Sequence, residues 1–367
     1  MATCARLLVA TPLYPPDPGG PATYAQILET MLPEQGTVVE VVKFGNVRHL
    51  PKLVRHLVYF FNVLRSAKHA DAILALDPVS VGLPSALVAK LLKKRFYVKV
   101  VGDYAWEQGR QRFGLTMDLD TFIHARHMPL RVRVLRALQR YVARQATRII
   151  VPSYYLQKIV GSWGIEQDRI SVVYNAVTPA VSSVCPSVLS EVRRPLILTI
   201  GRLVPWKHID GIIDAVERVG SEGVPTTLAI VGTGPLEQSL MQKAAESRTD
   251  ILFLGQQDRK GTEGALASAD ILVLNSSYEG LSHVLIEALM QGKAIIATNA
   301  GGNPELIEDG VNGILIPVGD TPALASAIMR LSEDSRLRTL IEEGARASRT
   351  RFSLPAMITG TLTALTQ

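Results

Sequence analysis

The most informative stretch of this chain is Ala269-Asp270-Ile271-Leu272-Val273-Leu274-Asn275-Ser276-Ser277-Tyr278-Glu279-Gly280-Leu281-Ser282-His283-Val284-Leu285-Ile286-Glu287. Its apolar run from Ile271 to Leu274 predicts a buried strand, so the residues up to Gly280 form the loop at the carboxyl end of that strand. Ligands bind at this edge of open α/β sheets. A helix that begins at Gly280 or Leu281 would point N–H groups and its positive dipole end to the same place, which suits a diphosphate.

Seven residues separate the two glutamates of this stretch, Glu279 on the loop and Glu287 about two turns into the helix. From these positions, both carboxylates could accept hydrogen bonds from sugar hydroxyls. His283 lies four residues before Glu287, on the same helix face. Because no third ligand follows at a fitting spacing, the pair predicts no metal site.

Apolar strand patterns alternate with helical patterns along the whole chain, which predicts an α/β protein with parallel sheets covered by helices on both faces. The predicted strands of the first half are Arg6–Ala10, Val38–Lys43, Ala72–Leu76, Phe96–Val101, Arg148–Val151 and Ile170–Val173. Those of the second half are Leu196–Ile200, Thr227–Val231, Ile251–Leu254, Ile271–Leu274, Ala294–Thr298 and Gly313–Ile316. Six strands in each half are what two doubly wound, Rossmann-like domains would contain.

A length of 367 residues also favours two domains over a single core. An aperiodic stretch with several prolines separates the two halves. We therefore predict a first domain at residues 1–178, a linker at 179–195, a second domain at 196–350 and a weak terminal helix at 351–367.

The composition predicts a well-packed globular protein, with 47% hydrophobic and 20% charged residues. Cys4 and Cys185 fit no disulfide or metal pattern, which favours a reducing compartment. The amino terminus is interpreted as a first strand rather than a signal peptide, and no apolar stretch reaches the roughly 20 residues of a membrane span. We expect a cytoplasmic protein.

The net charge of +6 is distributed unevenly. Residues through Cys185 contain 23 Lys and Arg against 12 Asp and Glu, a balance of +11, whereas the remainder has a balance of −5. A basic first half is expected to face an acidic partner or surface. No nucleic-acid recognition motif or aromatic stacking pattern accompanies this charge, so we expect no nucleic-acid partner.

Two segments contain most of this basic charge. Residues 50–65 contain cations together with aromatic and aliphatic residues at helical spacing. The helical region that follows the fourth predicted strand contains seven arginines. These arginines are Arg126, Arg131, Arg133, Arg136, Arg140, Arg144 and Arg148. Two interpretations remain open: the helices lie on an anionic membrane surface, or they cover the sheet and keep their cations in solvent.

Two turns in the second half carry features of a phosphate site. Gly201, Arg202 and Lys207 follow the strand Leu196–Ile200, and a planar guanidinium beside an ammonium suits a diphosphate. Gly232 follows the next strand, Thr227–Val231, and would allow close approach of a ligand, although many βα turns look alike.

Two further turns in the first half are candidates. Gly19 and Gly20 precede a proline-initiated helix and would expose backbone N–H groups to the pocket of the other domain. Asp103 follows the strand Phe96–Val101 and is expected either to orient a hydroxyl of donor or acceptor, or to cap the next helix.

Together these motifs resemble the family 4 retaining glycosyltransferases of the GT-B fold, the glycosyl transferases of group 1. The resemblance extends from the turn at Gly19 to Glu305 and is strongest over 201–207 and 278–305, which include a Glu-x7-Glu motif. It implies two Rossmann-like domains that face a cleft and a terminal helix that crosses back to the first domain. It further implies a retaining enzyme that needs neither metal nor cofactor.

The resemblance also implies roles for individual residues. Arg202 and Lys207 would hold the donor diphosphate, Glu287 would bind the ribose hydroxyls and Glu279 would contact the transferred sugar. The expected catalytic residues are Glu279, Arg202, Lys207 and Asp103. The expected donor-binding residues are Gly19, Gly20, Gly201, Arg202, Lys207, Gly232, Glu279, Gly280, Leu281, Ser282, His283 and Glu287. The family often has a histidine where this chain has Gly102 and Asp103, so Asp103 is a candidate substitute for it.

The expected partners are a nucleoside diphosphate sugar, a sugar or lipid-linked acceptor and an anionic membrane surface at the inner face of the membrane. The predicted activity is transfer of a hexose to an acceptor hydroxyl in synthesis of a glycolipid, a polysaccharide or another cell-envelope glycan. Two alternatives remain: a sugar-nucleotide epimerase of the same fold, and a non-catalytic scaffold that binds nucleotide sugar or membrane.

Overall fold

The computed structural model describes residues 5–17, 19–177 and 186–366. Several predictions concern positions outside these described residues. They include both cysteines, residues 1–4 and 178 of the predicted first domain, residues 179–185 of the predicted linker and residue 367 of the predicted terminal helix.

The chain divides into two compact units, and each contains a six-stranded parallel sheet. The first unit contains the residues up to Asn175 and those from Pro355 onward; the second contains Ala176–Leu354. The strands of the first unit are β1 (Arg6–Thr11), β2 (Val38–Lys43), β3 (Ala72–Ala75), β4 (Arg95–Lys99), β5 (Arg148–Val151) and β6 (Ile170–Val172). Those of the second unit are β7 (Leu196–Ile200), β8 (Thr227–Val231), β9 (Asp250–Gly255), β10 (Ile271–Leu274), β11 (Ala294–Thr298) and β12 (Ile314–Ile316).

Helices cover both sheets. In the first unit they are α1 (Gly20–Met31), α2 (Lys52–Ala67), α3 (Gly82–Leu92), α4 (Tyr104–Arg112), α5 (Leu119–His124), α6 (Leu130–Gln145) and α7 (Tyr154–Gly161). In the second unit they are α8 (Ile209–Ser221), α9 (Glu237–Glu246), α10 (Arg259–Ser268), α11 (His283–Gln291), α12 (Asn303–Leu306), α13 (Thr321–Glu333) and α14 (Ser335–Ala347). Within the described residues, no helix combines the length and the apolar character needed to cross a bilayer. The predicted α/β class with two doubly wound parallel sheets is confirmed.

The last helix, α15 (Leu354–Thr366), packs almost entirely within the first unit. The hydroxyls of Tyr24 and Thr361 are 2.7 Å apart, and the hydroxyl of Tyr97 donates to the carbonyl of Leu365 at 2.7 Å. These buried hydrogen bonds tie α15 to α1 and β4.

Strand composition explains why the sheets form where they do. Strands β7, β8, β10 and β11 are buried along their whole length and consist of aliphatic residues, alanine and threonine. Parallel strands covered on both faces need such continuous apolar runs. In the second unit, α8 and α13 pack together over the sheet, and Ile212, Val216 and Ile328 are fully buried in its core.

The order of strands places a switch point in each sheet. The first sheet has the order β2-β1-β3-β4-β5-β6, so the winding reverses between β1 and β3. The second has the order β12-β11-β10-β7-β8-β9, so the winding reverses between β7 and β10. Loops at the carboxyl ends of the strands diverge at such points and leave a crevice for a ligand.

Candidate functional site

The strands β7 and β10 bring the two strongest motifs of the sequence to one place. They are parallel neighbours, with Leu198 beside Leu272. The loops that follow Ile200 and Leu274 therefore leave the same edge of the sheet, at its switch point. One loop contains Arg202 and Lys207, and the other contains Glu279.

Hydrogen bonds to backbone carbonyls of the lysine-containing loop connect these two loops. The N–H of Ser277 donates to the carbonyl of Trp206 at 2.8 Å. The side-chain amide of Asn275 donates to the carbonyl of His208 at 3.0 Å. Because Lys207 lies between these two carbonyls, its backbone is positioned directly against the glutamate loop.

Lys207 and Glu279 form an ion pair in which the lysine Nζ donates to Oε1 of the glutamate. The hydroxyl of Ser276 donates to the same oxygen at 2.7 Å. The side chains of Lys207 and Glu279 are only 17% and 12% exposed, so solvent screens this pair less than an ion pair on the open surface. An ammonium has three donors, and the pair occupies one of them.

Gly201 and Arg202 begin the lysine loop. A Cβ atom built at Gly201 would lie 3.6 Å from Cε of Lys207, so the lysine side chain passes over this glycine. The side chain of Arg202 is exposed, and no carboxylate of the described residues forms an ion pair with it. Its charge is therefore open to an anion that approaches this edge.

Gly232 permits the turn after β8 to approach the turn after β7. Its φ of +130° is strained for any residue with a side chain, and a Cβ there would overlap the carbonyl oxygen of Gly201. This contact explains the glycine structurally. A donor-binding role for Gly232 stays a prediction.

Gly301 and Gly302 support the glutamate loop from the other side. Gly301 has a φ of +55°, and a Cβ there would overlap the carbonyl oxygen of Glu279. The N–H of Gly302 donates to that carbonyl at 2.9 Å. The N–H of Gly302 therefore fixes the backbone of Glu279.

The helix α11 begins later than the sequence suggested. We expected its start at Gly280 or Leu281, whereas its first residue is His283 and Ser282 is the N-cap. The Ser282 hydroxyl accepts a hydrogen bond from the N–H of Leu285 at 3.3 Å, and serine is a strong capping residue. Gly280, Leu281 and Ser282 are therefore buried loop residues that lead into the helix.

Glu287 lies in the second turn of α11 and is half-buried. Burial raises the pKa of its carboxyl to about 7; the positive charge of Arg259 opposes this shift, and the negative charge of Glu263 adds to it. Arg259 and Glu263 pair with each other at 2.8 Å on the neighbouring helix α10. In the part of the chain that the structure describes, no group of three or more His, Cys, Asp or Glu side chains could hold a metal ion.

The remaining candidates lie in the first unit. Gly19 and Gly20 are at the amino end of α1, where Gly19 is the N-cap with a φ of +133°. Asp103 is the N-cap of α4: its carboxylate accepts a hydrogen bond from the N–H of Trp106 at 3.0 Å. Asp103 is 1% exposed, and burial raises the pKa of its carboxyl. This geometry favours the capping alternative, while a catalytic role stays a prediction.

Sequence reasoning missed three residues that orient Glu279. Ser276 bonds to its carboxylate, and the buried hydroxyl of Thr298 donates to the carbonyl of Ser276. The side-chain amide of Asn303 in turn donates to the carbonyl of Thr298 at 3.1 Å. Only the position of Ser276, three residues before Glu279 in the same loop, was a signal that the sequence offered.

The fold and this site define a class of protein. Two units, each built on a doubly wound parallel sheet, have the architecture of GT-B glycosyltransferases. Residues 186–348 match the model of the glycosyl transferases group 1 family, and residues 2–176 match that of the glycosyl transferase 4-like domain. The chain belongs to the group 1, family 4-like glycosyltransferases, as its motifs predicted.

Characterised relatives support this assignment. An alpha-D-kanosaminyltransferase of Streptomyces kanamyceticus is 30% identical over 166 residues, which are 44% of this chain and 43% of that protein. A D-inositol 3-phosphate glycosyltransferase of Saccharomonospora viridis is 26% identical over 294 residues, which are 70% of this chain and 67% of that protein. The chain thus spans less than half the length of the first of these relatives.

Solved structures share the fold over nearly the whole chain. The Anabaena protein HepE in complex with UDP-glucose superposes with a TM-score of 0.75 at 21% identity, covering 99% of this chain and 100% of that one. Sucrose-phosphate synthase of Thermosynechococcus elongatus gives 0.76 at 16% identity, covering 98% of both chains. These likenesses confirm the predicted GT-B fold.

Proposed function

We propose that this protein is a retaining glycosyltransferase that moves a hexose from a nucleoside diphosphate sugar to an acceptor hydroxyl in glycan synthesis. The observation that carries this proposal is the ion pair of Lys207 and Glu279 at the switch point between β7 and β10. The pair brings together an ammonium, which suits a phosphate, and a carboxylate, which suits a sugar hydroxyl. The solved structure of HepE, which shares the fold, contains UDP-glucose.

Each residue has a role in the proposed transfer. The exposed guanidinium of Arg202 and the two remaining donors of Lys207 bind the diphosphate and stabilise the charge that grows on it as the anomeric C–O bond breaks. Glu279 accepts a hydrogen bond from a hydroxyl of the transferred sugar, and Glu287 accepts from the ribose. The acceptor oxygen bonds to the anomeric carbon on the face that the diphosphate leaves, and its proton passes to the leaving phosphate oxygen.

We further propose that the transfer needs no metal ion or cofactor. Two cations at one sheet edge offset the charge of a diphosphate, which is the task of a divalent cation in other nucleotide sites. Turnover should therefore persist in excess EDTA. Dependence of the rate on added Mg²⁺ or Mn²⁺ would contradict this part of the proposal.

The acceptor is proposed to be a sugar or a lipid-linked molecule, reached at the inner face of a membrane. The supporting feature is a cavity of about 650 Å³ between α2, α3 and α6, whose wall is mainly apolar and also includes Arg55 and His56. Leu57 of this wall is 59% exposed, and Phe61 of α2 and Leu91 of α3 are 55% and 63% exposed. Exposed apolar side chains among cations are typical of helices that lie on anionic bilayers.

Vesicle binding tests the membrane contact. The Leu57→Ser/Phe61→Ser variant should release the protein from phosphatidylglycerol vesicles, while Val188→Ser, an exposed apolar residue of the second unit, should not. Equal sedimentation of both variants with the wild type would contradict this contact.

Product analysis tests the transfer itself. The protein is incubated with a panel of nucleoside diphosphate sugars and membrane extract, and products are examined by mass spectrometry and by NMR of the anomeric proton. Transfer with retained configuration supports the proposal. Rearrangement of the donor without an acceptor would indicate an epimerase, and tight donor binding without turnover would indicate a scaffold.

A further inference from the structure

The first unit contains a cavity of about 490 Å³ whose wall is dominated by arginine. It lies between α6 and the segment that joins α5 to α6. The residues around it are His124, Ala125, Arg126, Met128, Arg133, Arg136, Ala137, Arg140 and Arg144. No carboxylate is among these described lining residues.

Helix geometry brings these arginines together. Arg133, Arg136, Arg140 and Arg144 are spaced three, four and four residues apart, so they share one face of α6, and Arg126 joins them from the preceding loop. The other two arginines of the basic region lie elsewhere. Arg131 contacts the ring of Phe113 and Arg148 donates to the carbonyl of Asp168, which leaves five arginines in the cavity.

The guanidinium group of Arg136 is held in place before any ligand arrives. Arg136 donates to the carbonyls of Ala125, at 2.9 Å, and Ile123. The Nε of Arg140 is buried and has no hydrogen-bond partner among the described residues. Such an unpaired buried donor is costly, so an acceptor that enters the cavity would remove a penalty as well as form a bond.

The repulsion among the cations of the cavity also favours an anion. Burial lowers the pKa of the Arg140 guanidinium, and the positive charges of Arg136 and Arg144 lower it further, while Asp103 opposes the shift. The carboxylate of Asp103 is 1% exposed and is bonded to the N–H of Trp106. It attracts these cations from behind, within the fold, without occupying the cavity.

We propose that this cavity binds a ligand with more than one phosphate group, at a site separate from the diphosphate site at Arg202 and Lys207. Guanidinium forks match phosphate oxygens in pairs. Along the helix axis, Arg133 and Arg144 are about 16 Å apart at a rise of 1.5 Å per residue, which is too far for a single phosphate to engage both ends. Two sources have this chemistry: a soluble oligophosphate and the headgroups of anionic lipids.

Titration calorimetry with sodium tripolyphosphate tests the soluble source, and sedimentation with phosphatidylglycerol vesicles tests the lipid source. The full chain is compared with Arg140→Gln/Arg144→Gln, with Arg131→Gln as a control on the same helix and Lys207→Ala as a control for the donor site. We expect the double variant to bind at least one of the two probes about a hundredfold more weakly, since each charge-assisted bond contributes about tenfold or more. Arg131→Gln should retain at least half of the wild-type affinity for that probe, whereas Lys207→Ala should lose only the binding that occurs at the donor site.

Equal binding of both probes by the wild type and the double variant would overturn the proposal. An equal loss in Arg131→Gln would also overturn it, because net charge alone would then explain the binding. If the double variant does not fold, the single variant Arg144→Gln, at an exposed position, replaces it in the comparison. This variant should weaken binding about tenfold. Loss of binding in Lys207→Ala alone would assign the anion to the donor site and refute a second one.

Discussion

Each of the two units of this protein contains a six-stranded parallel sheet, yet the units differ in how their cations are paired with carboxylates. The second unit, whose net balance is negative, pairs several of its cations with nearby carboxylates: Lys207 pairs with Glu279 and Arg259 with Glu263. The first unit has a balance of +11, and it gathers five arginines around a cavity without a carboxylate in its described wall. The side chain of a paired cation is oriented by its partner, whereas a group of unpaired cations attracts anions through the electrostatic field that the group creates.

The switch points of the two sheets also differ in what their acidic residue binds. In the first unit, Asp77 follows β3 and its carboxylate accepts hydrogen bonds from the N–H groups of Val79, at 2.6 Å, and Ser80. Burial raises the pKa of this carboxyl to about 6 in spite of these bonds. The acid at the first switch point thus closes a turn of its own backbone, while Glu279 at the second faces a cation. The difference favours the second switch point for chemistry with a ligand.

The largest effect is expected from breaking the cation–carboxylate pair. Lys207→Met should lower the turnover number about 10²- to 10³-fold, because it removes a donor that stabilises the charge of the leaving diphosphate. The measurement is release of nucleotide from the preferred donor. Lys243→Met is the control, since Lys243 pairs with Asp214 at 2.6 Å on a more exposed surface of the same unit. A Lys207→Met enzyme with more than a tenth of wild-type turnover would contradict this role.

A second prediction concerns the unpaired cations of the first unit. The Nζ of Lys99 is buried without a hydrogen-bond partner among the described residues and lies 3.9 Å from the centroid of the Tyr24 ring. Burial lowers the pKa of this ammonium from 10.5 to about 7. Lys99→Met should therefore raise the free energy of unfolding on the order of 2–4 kcal/mol at pH 6.

The size of the Lys99→Met effect depends on pH. Between pH 7 and 10.5 the unfolded chain binds more protons at this lysine than the folded chain, so wild-type stability rises with pH across that window and the advantage of Lys99→Met fades. Chemical denaturation at pH 6 and pH 9 measures both values. The control variant Lys68→Met, at an exposed position, should give no difference between the two pH values. If Lys99→Met raised the free energy of unfolding equally at both pH values, packing rather than charge would be responsible.

The third prediction tests the close packing of Gly301 against the backbone carbonyl of Glu279. Gly301→Ala should lower the free energy of unfolding by about 1–3 kcal/mol, because a Cβ at that left-handed position meets the Glu279 carbonyl. Gly310→Ala separates backbone strain from the clash: its φ is +75°, but nothing lies within 4 Å of an added Cβ. It should cost about 1 kcal/mol. Equal losses in the two variants would mean that the contact with Glu279 contributes nothing.

The smallest predicted effect is a pH dependence of nucleotide binding. Burial raises the pKa of Glu287 to about 7, and an ionised carboxylate would accept stronger hydrogen bonds from the ribose hydroxyls than the neutral acid. Affinity for a nucleoside diphosphate should therefore rise up to about tenfold from pH 6 to pH 8. Phosphate groups of the ligand titrate in the same range, so the informative quantity is the difference from Glu287→Gln. Identical pH profiles would remove Glu287 from the ribose site.

Much of this architecture was predictable because parallel sheets impose strong local patterns. All twelve strands lie within two residues of their predicted boundaries, since each is a short apolar run between turns. The start of α11 was predicted two or three residues early, because a glycine before an apolar run looked like a helix start and the capping power of Ser282 was overlooked. The same helical spacing that predicted α6 left open which arginines share a site.

The sequence by itself determined the two-sheet class, the family and the placement of Arg202, Lys207 and Glu279 at carboxyl ends of strands. Only the tertiary structure decided that Lys207 bonds to Glu279, that Ser276 and Gly302 hold that glutamate, and that five arginines surround one cavity. The reason is physical: periodicity and turn chemistry act over a few residues, whereas these contacts join side chains and loops whose distances depend on how whole strands and helices pack.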